Sequence, residues 1–244
     1  MPLERAEEAR AVMVELFPEG FEESERPGEL ELAAYTTGAA GRRLRALGPV
    51  SVSAVEAGWE EAWKRFHRPV RVGPLWVGPP WEEPDPGSVA VVIEPGRAFG
   101  TGAHATTRLC LELLVEREPS SLLDLGCGSG VLAVAAAKLG FAPVVAFDSD
   151  EAAVEAAREN ARVNGVAVEA RPVDVLSELL PEAELAVANI ALPVVERLGE
   201  RLASRFLVSS GYFAGADPQL SSWTLLERRE AEGWAADLLR RTES

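Results

Sequence analysis

The fold of this chain is decided by the stretch Leu122-Leu123-Asp124-Leu125-Gly126-Cys127-Gly128-Ser129-Gly130. An apolar run ends in an acidic residue, three glycines alternate with small residues, and a helical pattern follows at once. This order predicts a strand, a tight turn and a helix N-terminus, where glycine lets a ligand touch the backbone. A second predicted strand, 143–147, leads into another acid, Asp148. The sequence therefore predicts a ligand site at the carboxyl ends of adjacent strands.

The spacing of the glycines indicates which ligand this site takes. Dinucleotide-binding turns read G-x-G-x-x-G and leave a pyrophosphate against bare amides. Here the spacing is G-x-G-x-G (Gly126, Gly128 and Gly130), and Asp124 precedes it by two residues. A carboxylate there repels phosphate but can pair, directly or through water, with an ammonium group, while Asp148 can accept from both hydroxyls of a ribose. These features favour S-adenosylmethionine, which carries an ammonium and no phosphate, over a nicotinamide cofactor.

Composition excludes several other classes of protein. The chain has 244 residues, of which 47% are hydrophobic, and no segment approaches the length of a membrane span. Its start lacks the pattern of a signal peptide, so we expect a cytoplasmic protein without membrane contact. Two cysteines and two histidines make a metal site improbable, and we expect none. The net charge of −15 disfavours nucleic acid as substrate and suits a basic protein partner.

The chain is predicted to hold two domains. Residues 1–57 combine a helix at 4–16, a strand at 30–35, a helical piece at 39–47 and a strand at 50–55, which describes a small α+β domain. Residues 58–88, rich in Pro, Gly and Trp, are interpreted as a short helix, 58–66, followed by a linker. Residues 89–244 are predicted to form the domain that binds S-adenosylmethionine.

The second domain alternates predicted strands and helices. The strands are predicted at 89–93, 121–124, 143–147, 167–170, 185–188 and 206–210, and the helices at 106–115, 130–139, 151–163 and 193–204. This alternation predicts a doubly wound, mostly parallel α/β sheet of the Rossmann-like kind. Ser149 or Asp150 can cap the helix 151–163, and Asn164-Gly165 can end it.

Further polar residues follow the later strands of this sheet. Asp174 lies just past the third strand, where it can meet an adenine amine or be a simple loop acid. Asn189 ends the fourth strand, and its amide can accept from an incoming amine and donate to the cofactor, or else act as a turn residue. The glycine-rich loop 94–107 carries Phe99 and His104, which are candidates for closing over the cofactor and for a base; His104 can equally be a structural group. Thr106 can cap the helix that follows.

These motifs resemble those of one bacterial family. The run Phe99-Gly-Thr-Gly-Ala-His-Ala-Thr-Thr107, the glycine turn after Asp124, Phe147-Asp148-Ser-Asp150 and Val187-Ala-Asn189-Ile190 closely resemble the ribosomal protein L11 methyltransferase family, as do Trp59–Lys64 and Pro80–Glu82. The resemblance covers residues 55–211. It implies a class I methyltransferase that transfers methyl groups from S-adenosylmethionine to amino groups of that ribosomal protein. It also places Thr107, Gly126, Asp148 and Asn189 at the family's cofactor-contacting positions.

The chain departs from the family pattern at both ends. The family's N-terminal domain usually opens with a strand, whereas here a helical pattern begins almost at Met1. Residues 234–239 can supply a sixth strand of the sheet, but little chain is left for the customary seventh. The alternatives that remain are methylation of another protein lysine or a small amine, and a cofactor-binding protein without turnover. We expect a monomer. We also expect no direct contact to nucleic acid, because the aromatic residue of base-flipping enzymes is missing after Asn189 and the net charge is negative.

Overall fold

The computed structural model describes residues 12–13, 22–26, 29–34, 44–45, 48–51, 67–95 and 102–242. The chain divides into two compact units, Met1–Glu60 and Glu61–Ser244. In the first unit, β1 (Glu22–Arg26) and β2 (Glu29–Ala33) pair antiparallel, so the strand predicted at 30–35 is confirmed and β1 is an addition. Residues 12–13 and 44–45 are helical, and 50–51 are not in a strand. The rest of the predicted elements at 4–16, 39–47 and 50–55 lies outside the described residues, as does the helix predicted at 58–66.

The second unit begins with a small sheet of three strands, β3 (Val70–Val72), β4 (Leu75–Gly78) and β5 (Val89–Val92), in that order. The first two correct the interpretation of this segment as a linker. Every residue of β4 is buried, because Trp76 and its neighbours pack into the core instead of anchoring a loose connection. Most of the prolines and glycines that hid these strands from sequence reasoning lie in the connections between them. The predicted domain boundaries at 57 and 88 stay a prediction.

The large sheet has seven strands in the order β11-β12-β10-β9-β6-β7-β8. Five of them are parallel, β6 (Leu122–Leu125), β7 (Val144–Asp148), β8 (Glu169–Pro172), β9 (Leu185–Asn189) and β10 (Phe206–Phe213). The helices between them are α1 (Ala105–Val115), α2 (Val131–Lys138), α3 (Glu151–Asn164) and α4 (Leu192–Gly199). The predicted strands and helices of this region are confirmed, with ends that shift by up to five residues. The doubly wound α/β fold is confirmed with them.

The expectation that little chain is left for a seventh strand is wrong. The chain continues from β10 into β11 (Trp223–Ala231) and β12 (Trp234–Arg241), which form an antiparallel hairpin, and β12 then pairs with β10. The turn uses Glu232 and Gly233, both at positive φ (53° and 80°), as a tight two-residue hairpin connection requires. A hairpin needs no crossover helix, so the two strands fit into a short stretch of chain.

Helices cover both faces of the large sheet. Successive residues of a strand enter two different apolar clusters; Leu207, for example, belongs to one and Val208 to the other. The first cluster includes α1, α2 and α3 as well as the three-stranded sheet, and the second includes α4. Within the residues that the structure describes, no helix is long and apolar enough to span a membrane.

Two predicted helix ends can be compared with the structure. For α3 the prediction is confirmed, since the Asp150 side chain accepts from the Ala152 amide and Gly165 ends the helix in the left-handed conformation. For α1 the predicted cap, Thr106, is wrong. The N-cap is His104, whose extended backbone lets Nδ1 accept from the Thr106 amide, while Thr106 already lies in the first helical turn.

Candidate functional site

A cavity of about 430 Å³ opens at the carboxyl ends of β6, β7 and β9. Its walls come from the glycine turn (126–128), the start of α2 (131–132), the end of β7 (148–149), the loop 173–176 and the end of β9 (189–190). These segments meet because parallel strands deliver their carboxyl ends to one edge of the sheet. None of the described residues that line the cavity is Lys or Arg, so a pyrophosphate would meet backbone amides but no cationic side chain there.

The three glycines of the turn have different structural roles. Gly126 and Gly128 line the cavity, and a Cβ on Gly126 would lie only 2.4 Å from Cγ2 of Ile190. Gly130 lies outside the cavity lining, at the N-cap of α2 in the left-handed conformation. A Cβ there would lie 2.8 Å from Cβ of Ala157 on α3. Gly130 therefore allows two helices to pack closely under the site, while the first two glycines keep the cavity wall bare.

Asp148 ties the end of β7 to the glycine turn. Its Oδ2 accepts from the Gly128 amide at 2.9 Å and its Oδ1 accepts from the Asp150 amide at 3.0 Å. Both bonds fix the direction of a half-buried carboxylate on the cavity wall. Each oxygen keeps a further lone pair, so this carboxylate can still accept from two adjacent hydroxyl groups of a ligand.

Asp124 lies beneath the cavity and does not line it. The side chain is 1% exposed, and its Oδ2 accepts from the amide of Ala133 in the first turns of α2 at 3.0 Å. Burial raises the pKa of this carboxyl to about 7; the nearby charge of Asp148 also raises it, and the Ala133 bond lowers it. The predicted contact between Asp124 and an ammonium group of the ligand stays a prediction.

Asn189 and Thr107 meet across the cavity wall. Nδ2 of Asn189 donates to Oγ1 of Thr107, which is fully buried on α1, at 3.3 Å. Oδ1 of Asn189 has no hydrogen-bond partner in the described part of the chain, and it belongs to a residue that lines the cavity. Thr107 thus holds the Asn189 side chain through Nδ2, and Oδ1 is left as an acceptor at the end of β9.

The turn after Asn189 is held on three sides. The amide of Ile190 donates to the carbonyl of Ser210 on β10 at 3.1 Å. Gly126 meets the side chain of Ile190, and Gly211 meets its backbone, where a Cβ would lie 2.2 Å from the carbonyl oxygen. The position of Asn189 therefore depends on two glycines that lie far apart in sequence.

Of the remaining predicted site residues, one lines the cavity and one lies outside its lining. Asp174 lines the cavity as an exposed acid whose Oδ1 accepts from the Leu176 amide at 2.9 Å. His104 lies outside the cavity lining, where it caps α1 and meets the ring of Trp234 edge-on at 5.0 Å. Phe99 lies outside the described residues. The structure thus brings six predicted residues to the cavity wall: Thr107, Gly126, Gly128, Asp148, Asp174 and Asn189.

Asn160 of α3 supports the glycine turn and Asn164 holds β5, and the sequence analysis missed both of these roles. Nδ2 of Asn160 donates to the Ser129 carbonyl at 2.9 Å, and its Oδ1 accepts from the Glu94 amide at 3.1 Å. One turn later, Asn164 accepts from the Val92 amide at 2.9 Å and donates to the Val92 carbonyl at 2.6 Å. The available signal was their spacing, since both continue the buried alanine stripe of the helix and a polar residue there needs a partner.

The chain resembles proteins of one family in sequence and in structure. The sequence model of a family described as Ribosomal protein L11 methyltransferase (PrmA) matches residues 23–216. The ribosomal protein L11 methyltransferase of Symbiobacterium thermophilum is 44% identical over 199 residues, which cover 75% of this chain and 66% of that protein. The protein of that name from Syntrophomonas wolfei is 40% identical over 179 residues, covering 70% of this chain and 58% of that protein.

A solved structure agrees with the sequence matches. The crystal structure of ribosomal protein L11 methylase from Lactobacillus delbrueckii subsp. bulgaricus superposes with a TM-score of 0.64 at 29% identity, covering 72% of this chain and 100% of that chain. The alignments with the two curated relatives span 66% and 58% of the length of those proteins.

Proposed function

Because the chain belongs to the ribosomal protein L11 methyltransferase family, we propose that it transfers methyl groups from S-adenosyl-L-methionine to amino groups of ribosomal protein L11. The acceptors are lysine side chains and, in the wider form of the proposal, the N-terminal amine. The observation that carries it is the single cavity that joins Asp148, the bare glycine turn and the free acceptor oxygen of Asn189.

The cavity walls suit this methyl donor. When bound, S-adenosyl-L-methionine supplies a methyl group on a positively charged sulfur, which is already activated for transfer. A Cβ on Gly126 would clash with Ile190, so the bare wall is a built feature of the site. Asp148 offers acceptors to the ribose hydroxyls, and Asp174 can meet the adenine amine. Ionisation of Asp124, whose carboxyl is buried below the turn, is favoured by a cationic group nearby and disfavoured by a phosphate.

Asn189 positions the acceptor amine. The bond from Nδ2 to Thr107 holds the amide so that Oδ1 can accept from an N–H of a neutral amine. An ammonium has no lone pair to attack with, so the lysine must first lose a proton. The valine, leucine and isoleucine side chains of the cavity disfavour the charged form and thereby lower the pKa of the entering lysine. The chain's contribution is alignment and exclusion of water, and no residue has to act as a strong acid or base.

The proposal also includes a basic acceptor protein, a monomeric state and a cytoplasmic location. A net charge of −15 suits a basic protein acceptor and disfavours direct contact with nucleic acid. We expect a monomer, which light scattering checks, and an enzyme that meets its ribosomal acceptor in the cytoplasm.

The direct test is intact-mass analysis of purified ribosomal protein L11 after incubation with this protein and S-adenosyl-L-methionine. We expect the mass of L11 to increase by whole methyl groups, and fragmentation should map them to lysines or to the N-terminus. Absence of any increment contradicts the proposal. Transfer to another protein or a small amine, under conditions where L11 is unchanged, replaces the acceptor but keeps the reaction.

Two variants test the roles of the wall residues. Asn189→Ala should lower kcat at least about tenfold with little change in the Kd of the methyl donor, because the loss falls on amine alignment. Asp148→Ala should raise that Kd about 10–100-fold, because hydrogen bonds to a charged group contribute about 1.5–3 kcal/mol. Glu182→Ala, an exposed acid outside the cavity lining, is the control and should change neither. An unchanged kcat in the first variant or an unchanged Kd in the second removes that assignment.

A further inference from the structure

Three aromatic rings form a surface at the cavity edge of the large sheet. Phe213, at the end of β10, is 67% exposed and stacks on Trp234 with ring centroids 4.7 Å apart and an interplanar angle of 26°. Trp234 in turn meets His104 in an edge-on contact at 5.0 Å. Phe213, Trp234 and His104 are called the aromatic surface below. The stack holds the ring of Phe213 in place and leaves its outer face to solvent.

The aromatic surface adjoins the acceptor end of the cavity. Ser210 of β10 pairs with Asn189 of β9, and Phe213 follows three residues later, or about 10 Å further along the strand. The same neighbourhood is reached through α1, since Thr107, which holds Asn189, follows the cap His104 by one helical turn. A polypeptide that brings an amine to Asn189 therefore passes within reach of the Phe213 ring.

The charges around the aromatic surface select its partner. The hairpin turn next to Trp234 carries the exposed acid Glu232. The one basic residue that reaches this turn in the described part of the chain, Arg108, already pairs with Glu232. The whole chain carries a net charge of −15. An exposed aromatic face on a chain of this net charge attracts a cation, which gains from the ring and from the field of the whole chain together.

We propose that the aromatic surface docks a basic segment of the methyl-accepting protein, with a Lys or Arg side chain lying over the outer face of the Phe213 ring. This inference rests on the proposed function, because it names how the acceptor protein is held while its amine enters the cavity. It assigns Phe213 to recognition of the acceptor and not to methyl transfer. The contact is made outside the donor cavity, so it changes the affinity for the acceptor alone.

Three substitutions at one position separate a cation on the ring from simple apolar contact. Phe213→Ala should raise the KM for ribosomal protein L11 about 3–30-fold, the range that corresponds to a cation–ring contact. Phe213→Leu keeps an apolar side chain without a ring face and should raise the KM similarly, whereas Phe213→Tyr keeps the face and should stay within about twofold of the unsubstituted protein. In all three, kcat and the Kd of the methyl donor should stay within about twofold.

Leu225→Ala is the matched control, since Leu225 is 51% exposed on β11, the edge strand of the same sheet. It should leave the KM unchanged. A Phe213→Ala protein that matches Leu225→Ala in KM, or a Phe213→Leu protein that matches the unsubstituted chain, overturns the inference. So does self-association of the unsubstituted chain that Phe213→Ala abolishes, because the surface then binds a second copy. If the unsubstituted protein transfers no methyl group to L11, the proposed function fails, and that result is distinct from transfer that ignores Phe213.

Discussion

Gly211 gives the sharpest test of how the fold positions the cavity. It lies in the β-bulge of β10 between Ser210 and Tyr212, with φ at 101°, a conformation that residues with a Cβ rarely adopt. A Cβ at this position would lie 2.2 Å from the carbonyl oxygen of Ile190 and 2.6 Å from its carbonyl carbon. Both are backbone atoms, which cannot rotate away as a side chain can. Gly211→Ala must therefore displace the residue that follows Asn189.

Two separate costs add in this variant. Placing alanine at a strongly positive φ costs about 1–2 kcal/mol, and overpacking adds about 1–3 kcal/mol. The expected loss in the free energy of unfolding is therefore about 2–5 kcal/mol, which lowers Tm by about 4–20 °C in a chain of this size. Bringing a 2.2 Å contact to an ordinary 3.4 Å needs a shift of about 1 Å. A shift of that size at Asn189 should lower kcat by about 10²-fold.

Calorimetry and methyl-transfer kinetics on three glycine variants separate these costs. Gly215→Ala is the control for both, since nothing lies within 4 Å of the added Cβ and the φ is ordinary; it should change stability by less than about 0.5 kcal/mol. Gly87→Ala has a φ of 77° with open space around it and should show the conformational cost alone. The reasoning is refuted if Gly211→Ala is no less stable than Gly87→Ala and keeps the unsubstituted kcat, since the displaced backbone then has no effect.

Three further predictions concern buried polar groups. Arg228→Met should lower the free energy of unfolding by about 3 kcal/mol in a urea titration, because Arg228 donates to both oxygens of Asp237, which is 1% exposed, and its removal leaves a buried charge; an unchanged midpoint contradicts this. Asn160→Ala should cost about 1–3 kcal/mol, because the Glu94 amide and the Ser129 carbonyl each lose the bond that Asn160 supplies, and the Kd of the methyl donor should rise with it. A variant with the stability and the donor Kd of the unsubstituted chain counts against a supporting role. The raised pKa of Asp124 means that the folded state keeps a proton there between about pH 4 and pH 7 that the unfolded state loses, so stability falls as pH rises through that window. Asp124→Asn should remove this dependence, so a stability profile parallel to that of the unsubstituted chain between pH 4 and 8 contradicts the assignment.

Much of the sheet could be predicted because its signals are local. Buried parallel strands appear as short apolar runs, and α3 carries its own cap and its own terminating glycine, so these elements are correct to within a few residues. Strand β11 was missed because its middle, Leu-Leu-Glu-Arg-Arg, is exposed or half-buried at the sheet edge and has no alternation to detect. Strands β3 and β4 were missed because a single buried tryptophan and its neighbours, within a proline-rich stretch, do not reveal their partners.

In the candidate site, too, some positions follow from local sequence signals and others depend on packing. Asp148, Asn189 and the glycines at 126 and 128 line the cavity because strand ends of a parallel sheet gather in one place, which sequence order alone implies. The sequence also predicts Asp124 and Gly130 as cofactor contacts, and this stays a prediction; neither residue is part of the cavity lining. Which side of the turn these two residues occupy depends on how α2 and α3 pack, and packing is not encoded in the turn itself. The role of His104 likewise depends on where α1 begins, which differs by one residue from the predicted start.

The asparagine pair on α3 limits where another strand can pair with the three-stranded sheet. Strand β5 is an outer strand, and such strands ordinarily offer unpaired backbone groups to any extended peptide. Here Asn164 occupies both the amide and the carbonyl of Val92, and Asn160 occupies the amide of Glu94. A visiting strand could not pair along this side without first detaching a helix that also steadies the glycine turn. Among the residues that the structure describes, the opposite border of the sheet, along β3, is the one left for edge-to-edge addition.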